Sequence, residues 1–213
     1  MYRAVFWDFG GVITESPFEA FNRYEISKGL PKDFIRTVNT HNFNDNAWAK
    51  FERSEISVTE FDHLFATESE RQGFRIAGGE IVELLAVKPR ASMVAALKKI
   101  CGHYTTACIT NNVPVGHGAG MQTSEEAAYE IQQIMALFDF VIESSKIGIR
   151  KPDPRIYQLA CEKAGIEPSQ VVYLDDLGVN LKPAKAMGMT TIKVAQAEQA
   201  LAELESILEI KLT

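Results

Sequence analysis

Short, almost wholly apolar runs of four or five residues alternate along this chain with longer stretches in which apolar positions return every three or four residues. Runs of the first kind, at 4–7, 105–109, 138–142, 171–174 and 190–194, predict strands buried on both faces. Stretches of the second kind, at 91–100, 124–137, 154–164, 181–187 and 198–208, predict helices that cover a sheet. Their alternation predicts an α/β fold built on a Rossmann-like parallel sheet. The punctuation agrees: Pro154 suits the first turn of a helix, where its missing N–H is not needed, and Gly165 stands where a left-handed C-terminal cap belongs.

The pattern breaks between the first and second strands, where the intervening stretch is far too long for one crossover helix. Phe18, Phe21, Tyr24, Phe34, Ile35, Trp48, Phe51, Phe61, Leu64 and Phe65 recur there at helical spacing. Such a stripe predicts a helical cap with its own core. Ser57 and Glu60 are placed to form a reciprocal capping box at the start of one cap helix. The expected division is a core domain of residues 1–14 and 90–213 and a helical cap domain of residues 15–89.

Composition narrows the class further. The chain has 213 residues, 46% of them apolar and 23% charged, which excludes disordered and low-complexity readings. Its net charge is −6 and its bases are scattered, so nucleic acid is a poor partner. No run approaches the roughly eighteen apolar residues of a membrane span, and Asp8 interrupts the N-terminal apolar stretch too early for a secretory signal, so a cytoplasmic chain without a membrane partner is expected. Cys101, Cys108 and Cys161 lack the paired spacing of zinc sites or disulfide frameworks and read as packing residues.

In an open parallel sheet, ligands bind beyond the carboxyl ends of the strands. The residues that fall there are Asp8-Phe9-Gly10-Gly11, Thr110-Asn111-Asn112 and Asp175-Asp176-Leu177-Gly178-Val179-Asn180, together with a cationic loop holding Lys146, Arg150 and Lys151. Three carboxylates at one sheet edge repel one another unless a positive charge sits among them. Oxygen ligands without nearby His or thiolate favour Mg²⁺, which keeps several waters and commonly bridges to phosphate. Thr110 and Asn111 offer a hydroxyl and an amide to phosphoryl oxygens, and Lys151 or Arg150 supplies compensating charge. Taken singly each element is ordinary loop chemistry. Together, in order and each at a strand end, they point to one phosphoryl-transfer site with a small phosphorylated molecule as its substrate.

The four segments, D-F-G-G-V at Asp8, I-T-N-N at Thr110, R-K-P-D-P at Lys151 and L-D-D-L-G-V-N at Asp175 and Asp176, resemble the motifs of the haloacid dehalogenase superfamily. Longer stretches such as K-P-D-P-R-I-Y-Q-L are similar to the N-terminal phosphatase domain of soluble epoxide hydrolase and to the dehalogenase-like domain that precedes certain acyl-CoA dehydrogenases. The resemblance implies a HAD-like core with an inserted helical cap, and a Mg²⁺-dependent phosphatase. It makes Asp8 the nucleophile that forms an aspartyl-phosphate. It implies a metal held by Asp8, the Gly10 backbone carbonyl and Asp176, with Asp175 acting through water. Thr110, Asn111 and Lys151 would bind the phosphate, Lys151 would also neutralise charge in catalysis, and Asn180 would orient the acidic loop.

One departure matters. The resemblance places an aspartate two residues after the nucleophile, to protonate the leaving alcohol, and this chain has Gly10. Three consequences stay open: a substrate with a good leaving group, a proton donor from the cap such as His41, Asp45 or Glu15, or a phosphate-binding or regulatory protein without turnover. A 2-haloacid dehalogenase ranks below these, because displacement of halide from carbon needs no cation and the Asp175-Asp176 pair keeps a cation site assembled. The glycine-rich stretch 113–121 is a candidate lid.

Overall fold

A computed structural model describes residues 1–117, 120–122 and 124–212. Five strands, β1 (Ala4–Trp7), β2 (Thr105–Thr110), β3 (Phe140–Glu143), β4 (Val171–Asp175) and β5 (Thr190–Lys193), form one sheet in the order β3-β2-β1-β4-β5. Every pairing is parallel, with Trp7 opposite Cys108 on one side and Leu174 on the other. All four residues of β1 are buried, as the uninterrupted apolar run requires of a central strand covered on both faces.

Period-two alternation sorts these strands into two apolar layers. Val5, Trp7, Cys108, Val172 and Leu174 pack with helices α6 (Ala91–Ile100), α7 (Glu125–Met135) and α11 (Ala197–Leu208). Ala4, Phe6, Ala107, Ile109, Val171 and Tyr173 pack with α9 (Pro154–Ala164) and α10 (Gly178–Ala186). The expected helix punctuation is present in α9, where Pro154 opens the first turn, Asp153 accepts the Arg155 N–H at 3.0 Å and Gly165 caps the end at φ 63°.

Between β1 and β2 lie α1 (Pro17–Lys28), α2 (Phe34–Thr40), α3 (Ala47–Glu52), α4 (Val58–Arg71) and α5 (Gly78–Val82), which enclose a third apolar cluster. Aromatic rings dominate it: Phe51 stacks on Phe61 at 4.4 Å, and Phe61 meets Trp48 edge-on at 5.8 Å. The Ser57 and Glu60 capping box opens α4, with the Glu60 N–H on Ser57 Oγ at 3.2 Å and the Ser57 N–H on Glu60 Oε2 at 2.8 Å. The chain enters and leaves this insertion side by side, since Glu15 N–H reaches Lys88 O at 2.8 Å and Arg90 N–H reaches Ile13 O at 2.8 Å.

Three of the differences from the periodic expectation have a visible local cause. The third strand starts at Phe140, because Asp139 turns its carboxylate back onto the Thr106 N–H at 2.7 Å and so ends the preceding loop. α10 begins at Gly178, so that Asn180 lies in its first turn and faces β4. The cationic loop after β3 contains a short helix, α8 (Ser144–Ile147), closed by Gly148 in the left-handed conformation. Cys108 and Cys161 are buried, Cys101 is half-buried, and burial pushes all three thiols up, so they stay protonated and apolar. Among the described residues no helix is long and apolar enough to cross a membrane.

Candidate active site at the carboxyl edge of the sheet

Asp8 follows β1 directly. Its backbone N–H continues the sheet pairing to Leu174 O at 2.8 Å, and its Oδ1 accepts the Phe9 N–H at 2.7 Å. The chain then turns through Phe9–Ile13 and closes on itself from Thr14 N–H to Phe9 O at 3.0 Å. Gly11 holds φ 77°, and a Cβ on it would collide with the Asp176 carboxylate, so this position requires glycine twice over. Gly10 is unlike it. Its φ of −68° and ψ of 128° suit any residue, and a Cβ there would meet nothing within 4 Å.

The second strand of the site, β4, ends in Asp175, which shares a face with Tyr173 because strand side chains alternate. The Tyr173 hydroxyl donates to Asp175 Oδ2 at 2.5 Å, Asn180 Nδ2 reaches both carboxylate oxygens at 3.0 and 3.1 Å, and the Leu177 N–H reaches Oδ1 at 2.8 Å. Lys151 completes the arrangement. Its Nζ lies 2.7 Å from Asp8 Oδ1 and 2.8 Å from Asp175 Oδ2, with the side chain only 1% exposed. The sheet edge therefore carries a buried carboxylate, ammonium, carboxylate sequence in which the central charge serves both neighbours.

Burial, together with the charges of Asp175 and Asp176, raises the Asp8 carboxyl above its ordinary range, with Lys151 acting in opposition. Burial also raises Asp176, to about 7, reinforced by Asp175 and opposed by Lys151. Burial alone would depress the Lys151 ammonium, yet the charges of Asp175 and Asp8 outweigh it and hold the group protonated. A site with this balance attracts more positive charge. Oxygens of Asp8, Asp175 and Asp176 lie within 4.8 Å of one another, all from hard donors, which fits a small divalent cation.

A cavity of about 310 Å³ opens over this edge. Asp8, Gly10, Thr110, Asn111, Lys151, Asp176 and Asn180 all contribute to its wall, so seven of the eight residues to which the resemblance gives a role converge on one space. Asp175 stands behind that wall, fully buried by its four donors. Asn111 clamps the lysine main chain with both ends of its carboxamide, since its Oδ1 accepts the Lys151 N–H at 2.8 Å and its Nδ2 donates to Lys151 O at 3.0 Å. The rest of the wall is mostly apolar, with Phe18, Phe21, Phe43, Trp48, Leu85 and Met121, interrupted by Arg36, Asn39, Thr40 and Glu52.

None of His41, Asp45 and Glu15 reaches the wall of this cavity; all three are exposed, and Asp45 pairs with Lys50 at 3.1 Å. Of the glycine-rich stretch, Val113, Gly120 and Met121 line the cavity, while Gly118 and Ala119 lie outside the described residues. Two participants escaped sequence reasoning. Tyr173 had a signal, since its spacing of two before Asp175 on a strand puts both on one face. Glu52, which lines the cavity and accepts the Trp48 Nε1–H at 2.9 Å, had a weaker one, a carboxylate four positions after Trp48 on an aromatic helix.

Residues 2–188 match the haloacid dehalogenase-like hydrolases, and the chain belongs to that family. Over 97% of its length it is 33% identical to acyl-CoA dehydrogenase family member 10 of Mus musculus, and over 96% it is 31% identical to bifunctional epoxide hydrolase 2 of the same species. The chain spans 19% and 38% of those two proteins. In three dimensions it resembles a HAD family enzyme of Bacteroides thetaiotaomicron solved with magnesium and inorganic phosphate, at a TM-score of 0.62, 19% identity and coverage of 96% and 99% of the two chains. The protein is a HAD-like hydrolase, with a five-stranded parallel sheet, a helical insertion and an acidic cluster able to hold a metal.

Proposed function

We infer that this chain is a Mg²⁺-dependent phosphatase acting through an aspartyl-phosphate on Asp8. The observation that carries the reading is the Lys151 ammonium between Asp8 and Asp175, beside an Asp176 that faces the same cavity. A carboxylate attacking a phosphoryl group brings two negative partners together, and a fixed buried cation at 2.7 Å from the nucleophile lowers the cost of that approach. Asp8, the Gly10 carbonyl and Asp176 would hold Mg²⁺, with Asp175 acting through water. When bound, the ion supplies further charge neutralisation at the phosphoryl oxygens. Thr110 and Asn111 would complete the phosphate cradle, Asn111 through the hold it keeps on Lys151, and Asn180 would keep Asp175 in place.

We take residues 15–89 as the cap and 1–14 with 90–213 as the core, so that the substrate's organic portion meets the cap. The aromatic wall suits an apolar body. In the first step the Asp8 carboxylate bonds to phosphorus while the bond to the leaving oxygen breaks and that oxygen takes the electron pair. Gly10 carries no proton donor, which favours substrates whose leaving oxygen is stable as an anion, such as acyl or aryl phosphates. Water then bonds to phosphorus while the bond from phosphorus to the Asp8 oxygen breaks, which restores the carboxylate and releases inorganic phosphate carrying the water's protons, and the leaving oxyanion takes a proton from solvent where it needs one.

The test is phosphate release from acyl, aryl and alkyl phosphates with and without Mg²⁺, with Asp8→Asn as control. Metal-dependent turnover that falls by about 10⁴-fold or more in Asp8→Asn is expected. Equal rates for wild type and variant on every substrate would leave a phosphate-binding or regulatory role in place of the enzyme.

A further inference from the structure

Where the helical insertion touches the sheet edge, one cap carboxylate reaches the residues that hold the lysine. Glu52, the last residue of α3, is buried, although it belongs to the insertion and not to any of the four sequence segments of the site. Its Oε2 accepts Arg150 Nε at 2.5 Å and Asn111 Nδ2 at 3.4 Å, and its Oε1 accepts Trp48 Nε1 at 2.9 Å. Arg150 is plugged into the insertion by two further contacts, from Nη1 to Phe43 O at 3.0 Å and through stacking of its guanidinium on the Phe43 ring at 4.4 Å. Immediately beside it, Ser54 Oγ donates to Ser145 O at 2.7 Å.

These contacts form a physical chain into the reacting groups. Glu52 binds Arg150, the residue before Lys151, and also touches the same Asn111 amide that grips the Lys151 carbonyl. Lys151 in turn spans Asp8 and Asp175. The lysine side chain is long and flexible, so its placement depends on where its main chain is anchored. Both anchors, Asn111 and Arg150, share one carboxylate 98 residues away from Arg150 in sequence.

We propose that Glu52 is a positioning residue for the reaction, setting the placement of Lys151 against Asp8 through Arg150 and Asn111. The proposal rests on the phosphatase reading of the site. Glu52 and Arg150 line the same cavity as the aromatic residues, and the proposal gives Glu52 a role different from theirs, which is to face the organic portion of a substrate. A group that only shapes that wall matters for large substrates, whereas one that sets the lysine matters for any phosphate, however small.

The experiment compares wild type, Glu52→Gln and the double variant Glu52→Gln with Arg150→Met, with Mg²⁺, on acetyl phosphate and on a bulky aryl phosphate. Misplacement of a catalytic group by a remote change costs up to about 10²-fold, so kcat of Glu52→Gln is expected to fall roughly 10- to 100-fold on both substrates with KM nearly unchanged. Replacing both members of a buried ion pair with uncharged groups commonly restores stability. The double variant is therefore expected to regain the wild-type Tm without regaining kcat. Reactivity of Lys151 toward acetic anhydride, read by peptide mass spectrometry, should rise in Glu52→Gln. Wild-type kcat for Glu52→Gln on acetyl phosphate, or recovery of kcat together with Tm in the double variant, overturns the proposal. Absence of phosphate release by wild type on every substrate instead overturns the phosphatase reading, and unchanged Lys151 reactivity then overturns this one as well.

Discussion

The floor and the roof of the cavity are built on different principles. On the floor, at the sheet edge, a buried polar network gathers on Asp175, which takes donors from Lys151, Tyr173, Asn180 and the Leu177 main chain. On the roof, rings pack against rings, with Phe21 edge-on to Trp48 at 6.4 Å and the Arg36 guanidinium over Phe18 at 4.9 Å. A fully matched polar network tolerates almost no change, because removing one partner strands the others in a medium of low polarity. An apolar wall tolerates substitution of similar volume. On the phosphatase reading, chemistry therefore belongs to the floor, and selectivity has room to vary on the roof.

The sharpest way to break this contrast is Lys151→Met. Loss of the ammonium leaves Asp8 and Asp175 facing each other without compensation, and breaking a buried pair from one side typically costs about 3–5 kcal/mol. Urea unfolding of the metal-free protein should show a loss of that order, with no measurable phosphate release. A loss below about 1 kcal/mol would mean that the floor is less tightly coupled than its distances imply.

Gly10→Asp sharpens the contrast from the other side, by adding a proton donor to a floor that lacks one. The open space at this position and its ordinary backbone conformation admit the side chain. Turnover of alkyl phosphates should rise by roughly 10²-fold, in line with general acid catalysis, while aryl phosphates gain far less. Equal gain on both classes, or none, would show that proton donation is not what limits the wild-type site.

On the roof, Phe18→Ala should raise KM for a bulky aryl phosphate about tenfold and leave acetyl phosphate unaffected, since removal of apolar contact changes only the binding of the part that touches it. Steady-state kinetics on the two substrates decide this. An equal effect on both would erase the division between the two walls.

The smallest effect expected is on pH and Mg²⁺. Asp176 is raised to about 7 in the folded protein, whereas in the unfolded chain it ionises near pH 4. Between those values the folded state binds more protons than the unfolded one, so this group's contribution to metal-free stability is lost as pH rises through about 7. A cation needs the ionised carboxylate, so the rise in Tm caused by Mg²⁺ should grow between about pH 6 and pH 8. Thermal melts across that range test it, and a Mg²⁺ effect independent of pH would place the ion away from Asp176.

What could be read from the linear chain was whatever depends on neighbours in sequence. Strand and helix periods, the capping box at Ser57 and the cap at Gly165 are set by residues within one or two turns, and the two caps stand where the pattern put them, while the five strands and their covering helices differ only at their ends. The converging motifs were legible for a related reason. Parallel strands all present their carboxyl ends on one side, so residues that follow strands meet without any knowledge of side-chain packing. Three matters required the folded molecule. The Asn111 carboxamide looked suited to phosphate and is occupied by the Lys151 main chain. His41, Asp45 and Glu15 looked able to reach Asp8 and lie outside the cavity wall. The Glu52 to Arg150 contact joins two segments that no local rule connects. Each depends on distance and direction between side chains far apart in sequence, and those are fixed only when the layers close on one another and burial compels every charge to find its partner.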